Sequence, residues 1–322
     1  MRVEPRSYSI LHLLSQGRQG LPVNLVGLAL VVSATGTWST SGTFVAIIRT
    51  ASGVSPQGIA FWRDLTTFIC LLSGILVFQP ALLRVPRRDL PWLAALGVIG
   101  VGWFHILWNT SVVMNGVPVA TVLQYNAPMF VAVAAWALWR EPVTPRKGTA
   151  IVLAFVGTVL IARLDGQSAH TVSPAGFLVG LGTATNFGLY SLLGKRLLAR
   201  HSRWTVLLYA FGFAALGTLP FQYGRPLIPA WPVPFEAWGA FTGLVLVTTI
   251  AGFGLYAAGL RRLPASVASI VATMEVPFAA AVSYLVLGQR LDGLQVTGAL
   301  LVVGGVVLVS RSHNNDNGVS AR

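Results

Sequence analysis

The sequence contains little charge and a single cysteine. Only 10% of its 322 residues are charged, whereas 54% are hydrophobic; soluble domains have roughly 25% charged residues. Because Cys70 is the only cysteine and lies inside an apolar run, the chain cannot form an internal disulfide or a cysteine-ligated zinc or iron–sulfur site. The shortage of charge predicts an integral membrane protein with most of its length in hydrocarbon.

Acidic residues are also few: the chain has nine Asp and Glu in total, and most lie in loops or tails. It has no His-Glu-x-x-His sequence, no aspartate-rich diphosphate motif and no paired aspartates on facing spans, which argues against an enzyme. The net charge of +13 comes from basic residues in short loops without interleaved aromatic residues, which indicates membrane topology rather than nucleic-acid binding. We therefore expect no catalytic residues, no metal, no cofactor and no nucleic-acid partner.

Ten apolar runs are long enough to cross a bilayer, whose core of about 30 Å needs roughly 20 helical residues. These predicted spans are 23–47, 57–79, 91–112, 118–139, 146–164, 175–197, 203–222, 237–259, 265–287 and 293–310. The joining segments are short, so the fold class is an all-α membrane domain. Residues 1–22 and 311–322 are expected to be cytosolic tails.

The basic residues predict the orientation of these spans. If the N-terminus is cytosolic, only four of the 22 Lys and Arg residues fall in segments outside the cell: Arg49, Arg163, Arg225 and Arg290. Positive residues accumulate on the cytosolic side of membrane proteins. The bias therefore predicts that both termini are cytosolic in a multi-pass protein of the cytoplasmic (inner) membrane.

The two halves of the chain repeat each other at a spacing of 148 residues. Val119-Ala120 recurs as Val267-Ala268, Phe130 as Phe278, and Gly157 as Gly305. Each half, 23–164 and 175–310, has five predicted spans; because five is odd, the halves are expected to be inverted in the membrane. Inverted repeats can pack in two ways, one open to each side, which is the basis of alternating access.

The second half also resembles a known family. Segments 254–268, 274–279 and 287–291, followed by Gln295, Gly298 and Gly305, are similar to the EamA repeat of the drug/metabolite transporter superfamily. The first half is a looser match at Arg63, Pro128, Glu141 and Gly157. The resemblance implies ten helices, a central cavity lined mainly by spans 1, 3, 4, 6, 8 and 9, and export of small metabolites. In two places the chain departs from the pattern: Val276 separates Glu275 from Pro277, and Gln289 stands where a glutamate is usual.

Glu275 is the strongest candidate transport residue, because it lies near the middle of the ninth predicted span. An ionised carboxylate at that depth costs several kcal/mol, so such a residue faces a cavity, pairs with a cation or holds a proton. One hypothesis is that Glu275 alternates between a proton and a substrate amine. The other is that it joins helices as a protonated hydrogen-bond donor.

Further polar and aromatic residues lie at a similar depth and are candidates for the transport pathway. They are Trp38, His105, Trp108, Gln124, Tyr125, Asn126, Asn186, Tyr190 and Tyr256. Amides in a span need polar partners and therefore point inward, and aromatic rings can stack on a substrate or a cation. Trp108 could instead belong to an interfacial belt, and His105 could be a satisfied structural histidine rather than a proton relay.

Three more residues complete the candidate set. Arg63 lies in the second span and could extend its charge to the interface or bind an acid group in the bundle. Pro128 and Pro277 lie in the middle of the fourth and ninth spans, where each removes a helical hydrogen bond and is expected to kink its helix. Kinks at equivalent positions in the two halves suggest gates, although a role in packing alone remains open.

The favoured function is secondary transport: export of a small amphipathic metabolite, such as an amino acid, with protons as a candidate coupling ion. A passive facilitator or channel is the main alternative, since a cavity with one acid would serve either. A membrane-embedded enzyme is less favoured because the acids for its chemistry are missing. The expected partners are a small-molecule substrate and the lipid bilayer, and the chain is expected to be a monomer or weak homodimer.

Overall fold

The computed structural model describes residues 24–162, 173–222, 233–287 and 293–311. Every regular element in these ranges is a helix, and eight helices are long and apolar enough to cross a membrane, judged by length and composition. The predicted all-α membrane fold is therefore confirmed, while the count of ten spans stays a prediction. Residues 1–22 and the tail after Arg311 lie outside the described ranges.

Seven α-helices are described in the first half. They are α1 (Leu25–Trp38), α2 (Ser41–Ser52), α3 (Pro56–Phe78), α4 (Leu90–Ala95), α5 (Phe104–Gln124), α6 (Ala127–Trp139) and α7 (Pro145–Ala162). A π-helical segment, Leu96–Trp103, joins α4 to α5 without a break. The first predicted span is thus interrupted between α1 and α2.

The second half has the corresponding elements. They are α8 (Pro174–Leu198), α9 (Arg203–Thr218), α10 (Phe235–Gly243), α11 (Gly252–Arg262), α12 (Ala265–Ala272), α13 (Glu275–Leu287) and α14 (Gly293–Arg311). A second π-helical segment, Leu244–Ala251, joins α10 to α11.

The spacing of 148 residues recurs in the structure. It separates the two π-helical segments, at 96–103 and 244–251, and the starts of α7 and α14, at 145 and 293. It also separates two interruptions, at 125–126 between α5 and α6 and at 273–274 between α12 and α13. Both halves therefore share these irregularities, whereas the interruption between α1 and α2 has no equivalent in the continuous helix α8.

The fourth and ninth spans are broken rather than kinked at their prolines. Pro128 and Pro277 each lie in the first turn of the second half-helix, α6 or α13, and the chain turns just before that helix starts. A first-turn residue has no helical partner for its N–H group, so proline costs little there. The prolines thus start new helices, which corrects the simple kink expected from the sequence.

Side-chain caps fix where several spans begin. Asn24, Ser55 and Ser173 each accept a hydrogen bond of 3.0 Å from the backbone N–H three residues on, which satisfies a donor that the helix leaves unpaired. Ser202 caps α9 in the same manner, at 3.3 Å from the N–H of Trp204. These capping residues precede the first two predicted spans of each half. The two halves therefore also share capped helix starts at these spans.

The third and fourth predicted spans are antiparallel although both include part of α5. Leu107 packs on Gly182, the Asn115 amide donates to the Gly176 carbonyl at 2.9 Å, and Leu123 packs on Gly180. Along α5 the contacting residue of α8 therefore changes from Gly182 to Gly176 and then back to Gly180. The range assigned to α5 is thus not one straight helix, because the chain turns back between Asn115 and Leu123.

Helices α7 and α14 pack through glycine. A Cβ atom at Gly157 would lie 2.5 Å from the carbonyl oxygen of Gly298 and 2.9 Å from the backbone nitrogen of Val302. Two of the nearest atoms belong to the backbone of α14, which cannot move aside as a flexible side chain can. Close approach of this kind is what small residues permit in membrane helix pairs.

We expect Gly157→Val to separate α7 from α14 and to lower stability by about 1–3 kcal/mol, the usual cost of overpacking. The measurement is thermal unfolding of the purified protein in detergent. Gly304→Val is the matched control, because Gly304 lies on α14 and a Cβ there meets nothing within 4 Å. Equal effects of the two substitutions would contradict the backbone contact.

Candidate functional site

A cavity of about 120 Å³ lies where the interrupted helices meet. Ser39, Tyr125 and Glu275, which lie at or next to the breaks after α1, α5 and α12, all line it. Polar side chains at these interruptions therefore face a cavity rather than lipid. Its wall includes Trp38, Ser39, Ser41, Arg63, Phe104, His105, Trp108, Thr121, Gln124, Tyr125, Phe187, Phe253, Glu275 and Val276.

Two other pockets are larger, at about 350 and 390 Å³. One lies between α2, α3 and α10 and the other between α3 and α9, and the described residues of both walls are all uncharged. Apolar hollows between helices are natural places for lipid tails. The smaller cavity is the candidate site because it alone among these three contains charged side chains.

Glu275 joins the two broken spans. It is the first residue of α13, and its Oε2 atom accepts a hydrogen bond of 2.6 Å from the Tyr125 hydroxyl at the end of α5. Such a short contact is typical of a hydroxyl that donates to an ionised carboxylate. The contact ties together the equivalent breaks of the two halves, and the carboxylate remains partly exposed to the cavity.

Arg63 brings a positive charge to the same cavity from α3. Its Nε donates to the Thr249 hydroxyl at 2.7 Å, and its guanidinium carbon lies 5.8 Å from the centre of the Phe253 ring. Thr249 in turn donates to the carbonyl of Leu244, five residues earlier, at 2.7 Å. That spacing matches the wide turn of a π-helix, so the π-helical segment aims Thr249 at Arg63.

Asp64 and His105 form a buried pair beside the cavity. Nδ1 of His105 lies 2.9 Å from Oδ1 and 3.2 Å from Oδ2 of Asp64, and Asp64 has no exposed surface. Asp64 was not among the predicted site residues. The signal was present, since it is an acid inside a predicted span, as Glu275 is.

Three buried polar atoms at the cavity have no hydrogen-bond partner among the described residues. They are Nε1 of Trp38, Nε2 of His105 and Oε1 of Gln124, on side chains that are 4–6% exposed. Buried polar groups are nearly always paired. These atoms have almost no accessible surface in this conformation, so a solute reaches them only after the surrounding side chains move.

Aromatic rings form much of the remaining wall. The Trp38 ring lies 5.2 Å from Phe253 and 6.1 Å from Phe187, measured between ring centres. Tyr256 and Tyr190 lie behind this layer, and the Tyr256 hydroxyl is 2.8 Å from that of Ser191. The cavity wall is therefore backed by a continuous aromatic layer.

The structure brings seven of the predicted pathway residues to the cavity and leaves four away from it. Those on the wall are Trp38, Arg63, His105, Trp108, Gln124, Tyr125 and Glu275; those off it are Asn126, Asn186, Tyr190 and Tyr256. The Asn126 amide donates to the carbonyls of Val122 and Leu123 at 3.1 Å, so it satisfies acceptors at the end of α5. The family resemblance implies walls from spans 1, 3, 4, 6, 8 and 9, and Arg63 adds the second span.

The other end of the bundle, where α12 begins, is tightly packed. Every residue of α12 is buried, and the Ser266 hydroxyl donates to Oε2 of Glu141 at 2.6 Å. The Lys195 amine donates to the carbonyls of Leu260 and Leu263, each at 2.7 Å. These contacts close this end of the bundle; Gln289, at the elbow equivalent to Glu141, lies outside the described residues.

Comparison with known proteins identifies the family. The EamA-like transporter family matches residues 25–163 and 174–311. The chain is 26% identical to the uncharacterised inner membrane transporter YicL of Salmonella typhimurium, over 88% of this chain and 95% of that protein. It is 29% identical to a probable terminal-alkyne amino-acid exporter of Streptantibioticus cattleyicolor, over 88% of this chain and 92% of that protein.

A solved crystal structure shares the fold, with a TM-score of 0.76 and 17% sequence identity over 90% of this chain and 98% of that one. The two family matches lie in the two halves of the chain and cover most of its length. The resemblance seen in the sequence is therefore confirmed, and the chain is a multi-pass membrane protein that belongs to the EamA-like transporter family.

Proposed function

We propose that the protein is a secondary transporter that exports a small amphipathic metabolite, such as an amino acid, by alternating access with protons as the coupling ion. The proposal includes ten spans with both termini in the cytosol. The observation that carries it is the position of Glu275: an intramembrane carboxylate on the wall of a small cavity, at the point where two broken helices meet.

Glu275 can take part in exchange because two kinds of partner reach it. Its contact with the Tyr125 hydroxyl stabilises the ionised carboxylate. Its exposure to the cavity allows either a proton or a substrate ammonium group to neutralise the charge. Binding of one partner then excludes the other, which couples substrate movement in one direction to proton movement in the opposite direction.

The packing supports an alternating-access cycle. On the predicted orientation, the end closed by Glu141, Ser266 and Lys195 faces the cytosol, and the cavity lies at mid-membrane and towards the outer side. The breaks before α6 and α13 provide hinges at equivalent places in the two halves. Rearrangement about the hinges would close the outer side and release the contacts at the cytosolic end.

The relative from Streptantibioticus cattleyicolor, named as a probable amino-acid exporter, supports amino acids as the first substrates to test. The experiment is counterflow in proteoliposomes of the purified protein, loaded in turn with unlabelled amino acids and diluted into the labelled form. A carrier produces a transient accumulation of label because exchange is faster than net loss. Equilibration without an overshoot would indicate a passive facilitator, and chemical change of the label would indicate an enzyme; either result would refute the proposal.

A further inference from the structure

Arg63 is a positively charged residue for which no described residue supplies a carboxylate within ion-pair distance. It lies within a predicted span, where a charged side chain needs a counter-charge or a water-filled space. Among the described residues no carboxylate lies within 4.0 Å of its guanidinium, and its described hydrogen bond to Thr249 uses Nε. Glu275 lines the same cavity but does not form an ion pair with Arg63.

Trp38 supplies a second unused donor close to Arg63. Both side chains contact the ring of Phe253, with the Arg63 guanidinium 5.8 Å and the Trp38 ring 5.2 Å from its centre. Nε1 of Trp38 is buried and has no partner among the described residues. The wall around Phe253 therefore presents the Arg63 guanidinium, a donor that suits an anionic oxygen. The indole N–H of Trp38 packs against Gly252 and joins this donor only when the Trp38 ring turns.

The wall of the same cavity also contains acceptors. Glu275 and Gln124 come from the broken fourth and ninth spans, and Oε1 of Gln124 is buried without a partner among the described residues. A carboxylate and an amide oxygen suit an ammonium group. The cavity wall thus combines donors on α1 and α3 with acceptors on α5 and α13.

We propose that Arg63 and Trp38 form a carboxylate subsite, so that the cavity binds a zwitterionic α-amino acid across its width, with the ammonium group at Glu275 and Gln124. The proposal rests on the transport function given above and adds the part of the substrate that Arg63 recognises. A volume of about 120 Å³ is well below the range of roughly 300–1,000 Å³ typical of sites for drug-sized ligands. The aromatic wall of Phe104, Trp108 and Phe187 favours an apolar side chain.

The test is equilibrium binding to the purified protein in detergent, which does not depend on transport. The probes are L-alanine, L-valine, L-leucine and L-phenylalanine, together with isobutylamine and isovalerate, which are valine without its carboxylate and without its amine. We expect at least one amino acid to bind the wild-type protein at least roughly tenfold more tightly than either single-charge analogue, since each analogue leaves one set of buried groups unpaired.

Two substitutions assign the subsite. Arg63→Gln keeps polar contact with Thr249 but removes the charge, and it should abolish the preference for valine over isobutylamine. Trp38→Phe keeps the aromatic ring but removes the N–H group, and it should weaken amino-acid binding by roughly fivefold to tenfold, as expected for one hydrogen bond. Arg49→Gln, at an exposed position on α2, is the matched control. It should leave the dissociation constants for valine and for isobutylamine unchanged.

Failure of this inference can be told apart from failure of the transport proposal. If none of the four amino acids binds, or if Arg63→Gln retains the wild-type preference for valine over isobutylamine, the carboxylate subsite is refuted even if another solute shows counterflow. If amino acids bind with the expected preference but no solute shows an overshoot, the subsite stands and carrier-type transport is refuted.

Discussion

Glu275→Gln should abolish the accumulation of substrate driven by a pH gradient. In proteoliposomes with the membrane potential clamped, a one-to-one exchange of substrate for protons should concentrate substrate about tenfold in a lumen one pH unit more acidic than the bath, because one unit corresponds to about 1.4 kcal/mol. Glutamine keeps an oxygen that can accept from Tyr125, but it cannot bind and release a proton. The expected accumulation ratio of the variant is about one, with slower equilibration because the ammonium group loses its counter-charge.

Glu236→Gln is the matched control for this experiment. Glu236 is an exposed carboxylate in the first turn of α10, so its replacement removes an acid without touching the cavity. It should accumulate substrate as the wild-type protein does. If the Glu275 variant retained a normal accumulation ratio at every imposed gradient, coupling through this carboxylate would be disproved.

Asp64→Asn should lower the stability of the protein by about 1.5–3 kcal/mol. The substitution replaces a hydrogen bond from His105 to a charged carboxylate by one to a neutral amide. Asp64 has no exposed surface and contacts His105 at 2.9 Å, so water cannot replace the lost carboxylate. Thermal unfolding of the purified protein in detergent measures the effect.

A double-mutant cycle separates the pair from its surroundings. With His105→Asn as the second substitution, we expect a coupling energy of about 1.5–3 kcal/mol, the range for hydrogen bonds to charged groups. Additivity of the two single substitutions to within about 0.5 kcal/mol would show that the contact contributes little to stability. Counterflow by the variants that remain folded would then reveal whether the pair also serves transport.

The helices and the repeat could be predicted because both depend on local composition. The apolar runs and the spacing of 148 residues are visible in the sequence, and the structure repeats its irregular segments at the same spacing. The interruption between Trp38 and Ser41 was missed because hydropathy averages over it, although the polar run Thr37, Ser39, Thr40, Ser41 was a signal. The π-helical segments have no comparable signature, since a wide turn depends on packing with neighbouring helices.

The site was predicted only in part for a similar reason. Depth within a span identified Glu275, His105 and Tyr125, which do line the cavity, but depth does not specify which face of a helix points inward. Asn186 and Tyr256 share that depth yet lie off the cavity wall. Arg63 and Asp64 are neighbours in sequence and serve different contacts, to Thr249 and to His105, because adjacent helical residues diverge by about 100°.

The π-helical segments have a consequence for how this protein could change over time. A wide turn contains one residue more than an α-helical turn, so deleting one residue between Leu96 and Trp103 would restore an uninterrupted α-helix. Because the wide turn already accommodates its extra residue, that deletion would leave the side chains on both sides, His105 and Trp108 among them, facing as they do now. Deletion of one residue from a regular α-helix such as α7 would instead rotate every side chain beyond it by about 100°. The π-helical segments are therefore places where a lineage can lose a residue without exchanging the recognition surface.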